Sequence, residues 1–462
     1  MSNAPEHTPR ANLSSLPNEL LREIVSYLDS CKDGLSLLRT CRKLRTIGQE
    51  ALYKDLVLLN SGPTSAQPLI RTMIDIPERA ELVKSLVVNR WEPITDSTQQ
   101  TVLRHSLDQL WVAAHTKNSS IDGYDTKDDL EAAGIEARYL HLLLSLLPKA
   151  RTLMYEAPKW LRYKYSTFPA ITHCPEFRRA IPSSPGNVII NSGLKNIQKL
   201  SLWCRFKNLD DSTAVHFIRD NIWCLFYLPN LKILEMHDVR LHCLETALPV
   251  INSLDNTSPI EELVIHSTNI TGQILDGIIN ACKSIRRLDV EWTKYTMSLI
   301  DIGHIASVLK ARHLELEVLS LDTPDTMSNQ DIAPTIGILG DMTCFTKLAE
   351  LNVMIHTIFQ HDRALIPSQQ VAVWDQMGFP QSLVYLTFFD INYKRPAWTL
   401  IPWIINKKDT LLARLKGIGV TNIHWYPKEY RKALADAGIE FNSVGRGMVS
   451  NRCTMTPYLT HR

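Results

Sequence analysis

Apolar and polar positions follow two rhythms along this chain. Residues 13–28, LSSLPNELLREIVSYL, place Leu20, Ile24 and Leu28 four apart, the spacing of one helical face. Leu21 and Val25 widen that stripe, while Arg22, Glu23 and Ser26 face away. Pro17 suits a first helical turn, where a missing N–H costs no hydrogen bond. After the polar break DSCKDG, Asp33 is positioned to cap a second helix, GLSLLRTCRKLR, with Leu35, Leu38, Cys41 and Leu44 three apart. A third short segment, QEALYKDLVL, follows Gly48. From residue 59 onward the rhythm changes to apolar-x-x-apolar-x-apolar, as in IQKLSLW (197–203), LKILEMH (231–237), IRRLDVE (285–291) and LVYLTFF (383–389). Alternation of this kind marks strands, whose successive side chains point to opposite faces. In Leu200-Ser201-Leu202 the leucines are expected to point inward and Ser201 outward.

The central leucines of this pattern are Leu86, Leu153, Leu200, Leu234, Leu263, Leu288, Leu319, Leu351 and Leu386. From Leu200 on they recur every 25 to 35 residues, the length of one strand-plus-helix unit. Helix-like stretches such as NITGQILDGIINACKSI (269–285) lie between them. The expectation is an α/β fold: an N-terminal three-helix domain over 13–58, then an irregular strand–helix solenoid with a parallel sheet over 59–462. Residues 1–12 are read as a flexible tail, and loops are expected near 116–129 and 157–187, the latter holding five prolines. A compact α/β domain with parallel strands is the alternative for the long C-terminal part.

Three short helices in about 45 residues bury too little apolar surface to be strongly stable alone. Their stripe is also wider than so small a core needs, which implies a partner that covers the excess. The residues themselves carry a resemblance. Leu16-Pro17-x-Glu19-Leu20-Leu21-x-x-Ile24-x-x-Tyr27-Leu28, then Leu38-x-Thr40-Cys41-Arg42-x-Leu44-Arg45, then Leu52-Tyr53, resembles the F-box motif, especially in its fungal form. Gly34 stands where many members have an acidic or apolar residue, which leaves the start of the second helix open. The resemblance implies that Leu16, Pro17, Leu20, Leu21, Ile24, Leu28, Leu38, Cys41 and Leu44 bind a Skp-type adaptor and, through it, a cullin. The remainder is similar to the irregular leucine-rich repeats that follow F-boxes in many family members, although the usual asparagine or cysteine after each strand is mostly absent. That resemblance implies a substrate-recognition subunit of an SCF-type ubiquitin ligase, holding an unknown protein target.

Composition narrows the remaining classes. Apolar residues make up 45% and charged residues 21%, as in soluble globular chains rather than disordered ones. A net charge of +2 offers no global field for nucleic acid or a membrane, and neither is expected as a partner. The most apolar run, LHLLLSLLP at 140–148, falls far short of a bilayer span. Residues 1–12 lack an apolar leader, so a cytoplasmic or nuclear location is expected. Nine scattered cysteines, without a Cys-x-x-Cys pair, argue against a zinc site or disulfide framework. There is no Gly-x-Ser-x-Gly elbow, phosphate-binding loop or His-Glu-x-x-His pair, so neither catalysis nor a cofactor is expected.

Where a target would be held follows from the strand pattern. The outward positions carry an acidic run, Glu235, Glu262, Asp289, Glu291, Asp322 and Glu350, with Trp203, Tyr385 and Phe389 towards the ends. Read as an exposed face, this row would capture a basic protein segment with the aromatics as anchors; a merely solvated charged face is the competing reading. Residues 391–462 hold twelve Lys/Arg against four acids and are read as a solvated closing cap. Two other functions remain open: an F-box scaffold that serves no ligase, and an unrecognised α/β enzyme.

Overall fold

The computed structural model describes residues 13–28, 33, 36–37, 39–59, 62–89, 91, 94, 96–117, 135–156, 194–203, 222–238, 255–268, 270–292, 301–322, 338–354, 378–389, 394–421 and 428–444. The proline-rich stretch 157–187 and residues 118–129 lie outside them, as does the tail before Leu13. The described residues fall into two compact units, the first running to Leu200 and the second from Ser201.

In the first unit, helix α1 (Asn18–Ser26) packs against α2 (Arg42–Lys54), and Leu21, Val25, Leu44 and Ile47 form their shared core. Residues 33, 36 and 37 are helical and the chain turns at 39–40, so the second helix expected over 34–45 is broken there and α2 begins after the turn. Cys41 caps α2: its backbone is extended and its Sγ accepts the Leu44 N–H at 3.4 Å. Gly48 lies buried inside α2 rather than separating two segments. Strands β1 (Asp55–Leu59), β2 (Ser85–Asn89) and β3 (Thr152–Glu156) follow and pair in parallel, in chain order. Helices α3 (Pro63–Asp75), α4 (Pro77–Ala80), α5 (Ser97–Lys117) and α6 (Ile135–Ser145) lie between them in the chain. Buried Tyr139 on α6 ties three helices together, accepting from Gln67 Nε2 at 2.6 Å and donating to the Leu103 carbonyl at 3.1 Å.

Strand β4 (Lys199–Trp203) contains the boundary between the units. In the second unit come β5 (Ile233–His237), β6 (Glu262–Thr268), α7 (Gly272–Ala281), β7 (Arg287–Trp292), α8 (Ile302–Arg312), β8 (Val318–Asp322), β9 (Glu350–Met354), β10 (Tyr385–Phe389), α9 (Lys394–Lys407), β11 (Gly417–Thr421), α10 (Lys428–Asp436) and β12 (Glu440–Val444). From β5 to β12 every neighbouring pair is parallel and the strand order equals the chain order. This is the connectivity of a strand-per-turn solenoid. A doubly wound α/β domain would reverse its strand order somewhere, and the crevice at that reversal is where such folds bind cofactors. Among β5–β12 the order never reverses.

The predicted leucines form one continuous row. Leu234, Leu263, Leu288, Leu319, Leu351 and Leu386 are direct neighbours on successive strands, and the row continues into Ile418 and Phe441. All six leucines are buried. One residue ahead of each strand, the backbone repeats a single hydrogen bond. The N–H groups of Glu261, Arg286, Glu317, Ala349, Val384 and Lys416 each bond the carbonyl of the equivalent residue one turn earlier, at 2.7–2.9 Å. Four of these positions alternate in charge, and Lys232, Glu261, Arg286 and Glu317 form a chain of ion pairs across the strand starts.

Turn-to-turn contacts also involve buried polar groups. His313, after α8, accepts the Ile285 N–H at Nδ1 (3.2 Å) and donates from Nε2 to the Ile279 carbonyl (3.1 Å). This arrangement needs the neutral ring with its proton on Nε2. Burial pushes the His313 pKa down and favours that same form. The Cys282 thiol, pushed up to about 12 by burial, donates to the Ile278 carbonyl and is a packing group rather than a nucleophile.

Candidate protein-docking surfaces

Opposite the leucine row, the strands of the second unit present a leading and a middle row of side chains. The register aligns Ile233, Glu262, Arg287, Val318, Glu350, Tyr385, Gly417 and Glu440 in the leading row. The middle row is Glu235, Val264, Asp289, Ser320, Asn352, Thr387, Gly419 and Asn442. Ser201 extends it, donating to Glu235 at 2.6 Å.

The middle row is not an exposed acidic face. Ser201, Glu235, Asp289, Ser320 and Asn352 are all buried. Asp289, 4% exposed, bonds His266 Nε2 at 3.2 Å and Arg287 at 3.0 Å. Burial alone would raise the Asp289 pKa, but the bond and charge of His266, with Arg287, outweigh it and hold the carboxyl below its usual range. Burial likewise opposes protonation of His266, and Asp289, helped by Glu291, overcomes it and holds the imidazole above its ordinary value. His237 stands edge-on to His266, with ring centroids 5.1 Å apart, and stacks on Trp203 at 3.8 Å. On β4–β7 the charges are thus largely neutralised within the protein. Trp203, Glu262, Glu291, Asp322 and Glu350 are half-buried, Phe389 is buried, and Tyr385 is 37% exposed.

In the first unit, α1 carries a different surface. Leu21 is 0% exposed and points into the core with Leu44, so neither has surface to offer a partner. Leu20, one residue earlier, is 46% exposed, and Tyr27, seven residues beyond Leu20 and so on the same face, is 73% exposed. Ile24 lies between them, half-buried against the core, together with Leu16 and Cys41. Lys43 on α2 anchors the start of the helix by donating to the Leu16 carbonyl at 2.6 Å. Leu20 and Tyr27 thus leave apolar surface open to solvent on one side of the domain. Residues 13–59 match the family model described as F-box-like.

The N-terminal helical region is an F-box-like domain. Such a domain supports a role as an adaptor. No curated protein matches the chain. Within the F-box-like domain, Pro17 is exposed at the N-cap of α1, Leu28 is half-buried, and Leu38 lies outside the described residues. Tyr27, the C-cap of α1, is more exposed than any apolar residue of the helix, yet it was not among the residues assigned to the adaptor. Its heptad relation to Leu20 was the signal that could have placed it there.

No helix among the described residues is long and apolar enough to cross a membrane. No group of three or more His, Cys, Asp or Glu among them is arranged to hold a metal.

Proposed function

We propose that this chain is the target-binding subunit of a cullin-based ubiquitin ligase. The F-box-like domain docks on a Skp-type adaptor through the Leu20–Ile24–Tyr27 face of α1, and the second unit holds a protein target. The observation that carries this reading is the open apolar face of α1, with Leu20 and Tyr27 exposed on a domain matched by the F-box-like model. A charged substitution at Leu20 or Tyr27 leaves the α1–α2 core untouched, because that core is formed by Leu21, Val25, Leu44 and Ile47 and includes neither residue. The function is mechanical. Holding a target beside a conjugating enzyme raises its effective concentration, while the catalytic thiol belongs to another subunit.

Affinity purification of the full chain, with the proteasome inhibited, tests the ligase part of the proposal. Adaptor and cullin are expected to co-purify in comparable amounts. Recovery of the adaptor without the cullin would replace this reading with that of an F-box scaffold serving no ligase. The Leu20→Asp, Tyr27→Asp double variant should lose both proteins and keep any target held by the second unit.

A further inference from the structure

The carboxylates on the sheet face of the second unit are not equivalent. On β4–β7 two of them are engaged: Glu235 by Ser201, Asp289 by His266 and Arg287. On β9 and β12, Glu350, which accepts one hydrogen bond from Asn352, and Glu440 form no ion pair among the described residues, and both retain solvent exposure. In the leading and middle rows of β8–β12 there is no Lys or Arg. Between the two carboxylates stands Tyr385, which neighbours Glu350 directly and is separated from Glu440 by one glycine strand position.

That glycine is part of the arrangement. A Cβ on Gly417 would come within 2.9 Å of the Tyr385 ring, and one on Gly419 within 2.7 Å of Thr387 Oγ1. Both are closer than real contacts allow, so β11 is bare beneath the ring and the ring leans onto its backbone. The result is an exposed aromatic ring, seated on rigid strand and flanked by acids about 5 and about 10 Å away along the row. Next to it, Asn352 is 2% exposed, and its Nδ2 donates to Glu350 at 2.8 Å. Its Oδ1 accepts no hydrogen bond, so this corner of the face has an unmet acceptor as well as unmet negative charge.

We infer that the Tyr385–Glu350–Glu440 patch recognises an arginine side chain on an extended segment of the captured protein. A guanidinium is planar and weakly hydrated; it stacks on an aromatic ring and donates to carboxylates in the same pose. Lysine carries the charge without the plane. This inference rests on the reading of the second unit as the target-holding part, and it narrows the target to arginine-bearing segments.

The test uses the full chain bound to its Skp-type adaptor and a fluorescein-labelled Gly-Arg-Gly-Arg-Gly-Arg-Gly peptide, read by fluorescence anisotropy at low and physiological salt. Peptides with lysine or citrulline in place of arginine are the controls. The arginine peptide should bind at least about tenfold tighter than the citrulline peptide and measurably tighter than the lysine peptide. Tyr385→Leu should cost about tenfold, and Glu350→Gln with Glu440→Gln, which keeps the Asn352 bond, should remove the salt dependence. Equal binding of lysine and arginine peptides would overturn the assignment to arginine. Arginine binding unchanged in both variants would place the site elsewhere. Either failure with adaptor binding intact leaves the F-box reading standing, whereas loss of the adaptor from the parent chain would strike that reading instead.

Discussion

Neighbouring residues on α1 have opposite duties. Leu21 fills the α1–α2 core, so Leu21→Ala removes buried side-chain volume at a cost of about 2–5 kcal/mol. For so small a helical domain that is enough to unfold it, and circular dichroism or amide exchange over residues 13–54 would register the loss. Leu20→Asp, by contrast, changes stability by no more than about 0.5 kcal/mol, since its side chain already meets water. Helical periodicity showed that both leucines lie on an apolar stripe. It could not divide them between core and surface, because that depends on where α2 crosses. In the second unit, the His266–Asp289 pair predicts a pH signature. A histidine whose folded pKa is raised adds stability that is complete below its unfolded value of ~6.5 and lost as pH rises through the folded value. An aspartate whose folded pKa is lowered adds stability above its unfolded value of ~3.9 and loses it as pH falls through the folded value. Melting temperature should therefore decline as pH rises beyond ~6.5, and His266→Gln should flatten that decline. An unchanged slope in the variant would remove the pair as its source.

The strand is the element at which sequence and structure agree best. The leucine rhythm was legible because burial on one face of a strand imposes a period of two, and consecutive turns repeat it at nearly constant spacing. The polar rows were not legible in the same way. Asp289 reads as an outward charge in its own strand, and it is buried because His266 comes from β6 and Arg287 leans over it. Cover supplied by a neighbouring strand leaves no mark in the local pattern. The same holds within the expected second helix, which a turn at residues 39–40 breaks, so that Cys41 caps a new helix, α2, beyond it. The alternating charges Lys232, Glu261, Arg286 and Glu317 act at the scale of strand pairing, favouring the observed register. Glu261→Lys would set like charges beside Lys232 and Arg286. Chemical denaturation should show a loss on the order of 1 kcal/mol at low salt, smaller at high salt, since these side chains are partly exposed. His313→Leu, which strands the Ile285 N–H between two turns, should cost more, about 1–3 kcal/mol, with no salt dependence.

On the scale of the molecule, two surfaces with different chemistry occupy separate compact units. One is an apolar helix face on the F-box-like domain, the other a sheet face that carries Tyr385 between the carboxylates of Glu350 and Glu440. A chain that serves as a connector needs two such surfaces, and variants in one should leave binding at the other unchanged, since sites without shared partners act additively. The central claim is that the open face of α1 is an adaptor site. Its most direct measurement is calorimetric titration of a purified Skp-type adaptor into the purified full chain, parent against Leu20→Asp with Tyr27→Asp. The account predicts one-to-one binding by the parent. In the double variant that binding should be lost, with an unaltered melting temperature. Equal affinity in the folded double variant, or no binding by the parent, would contradict it.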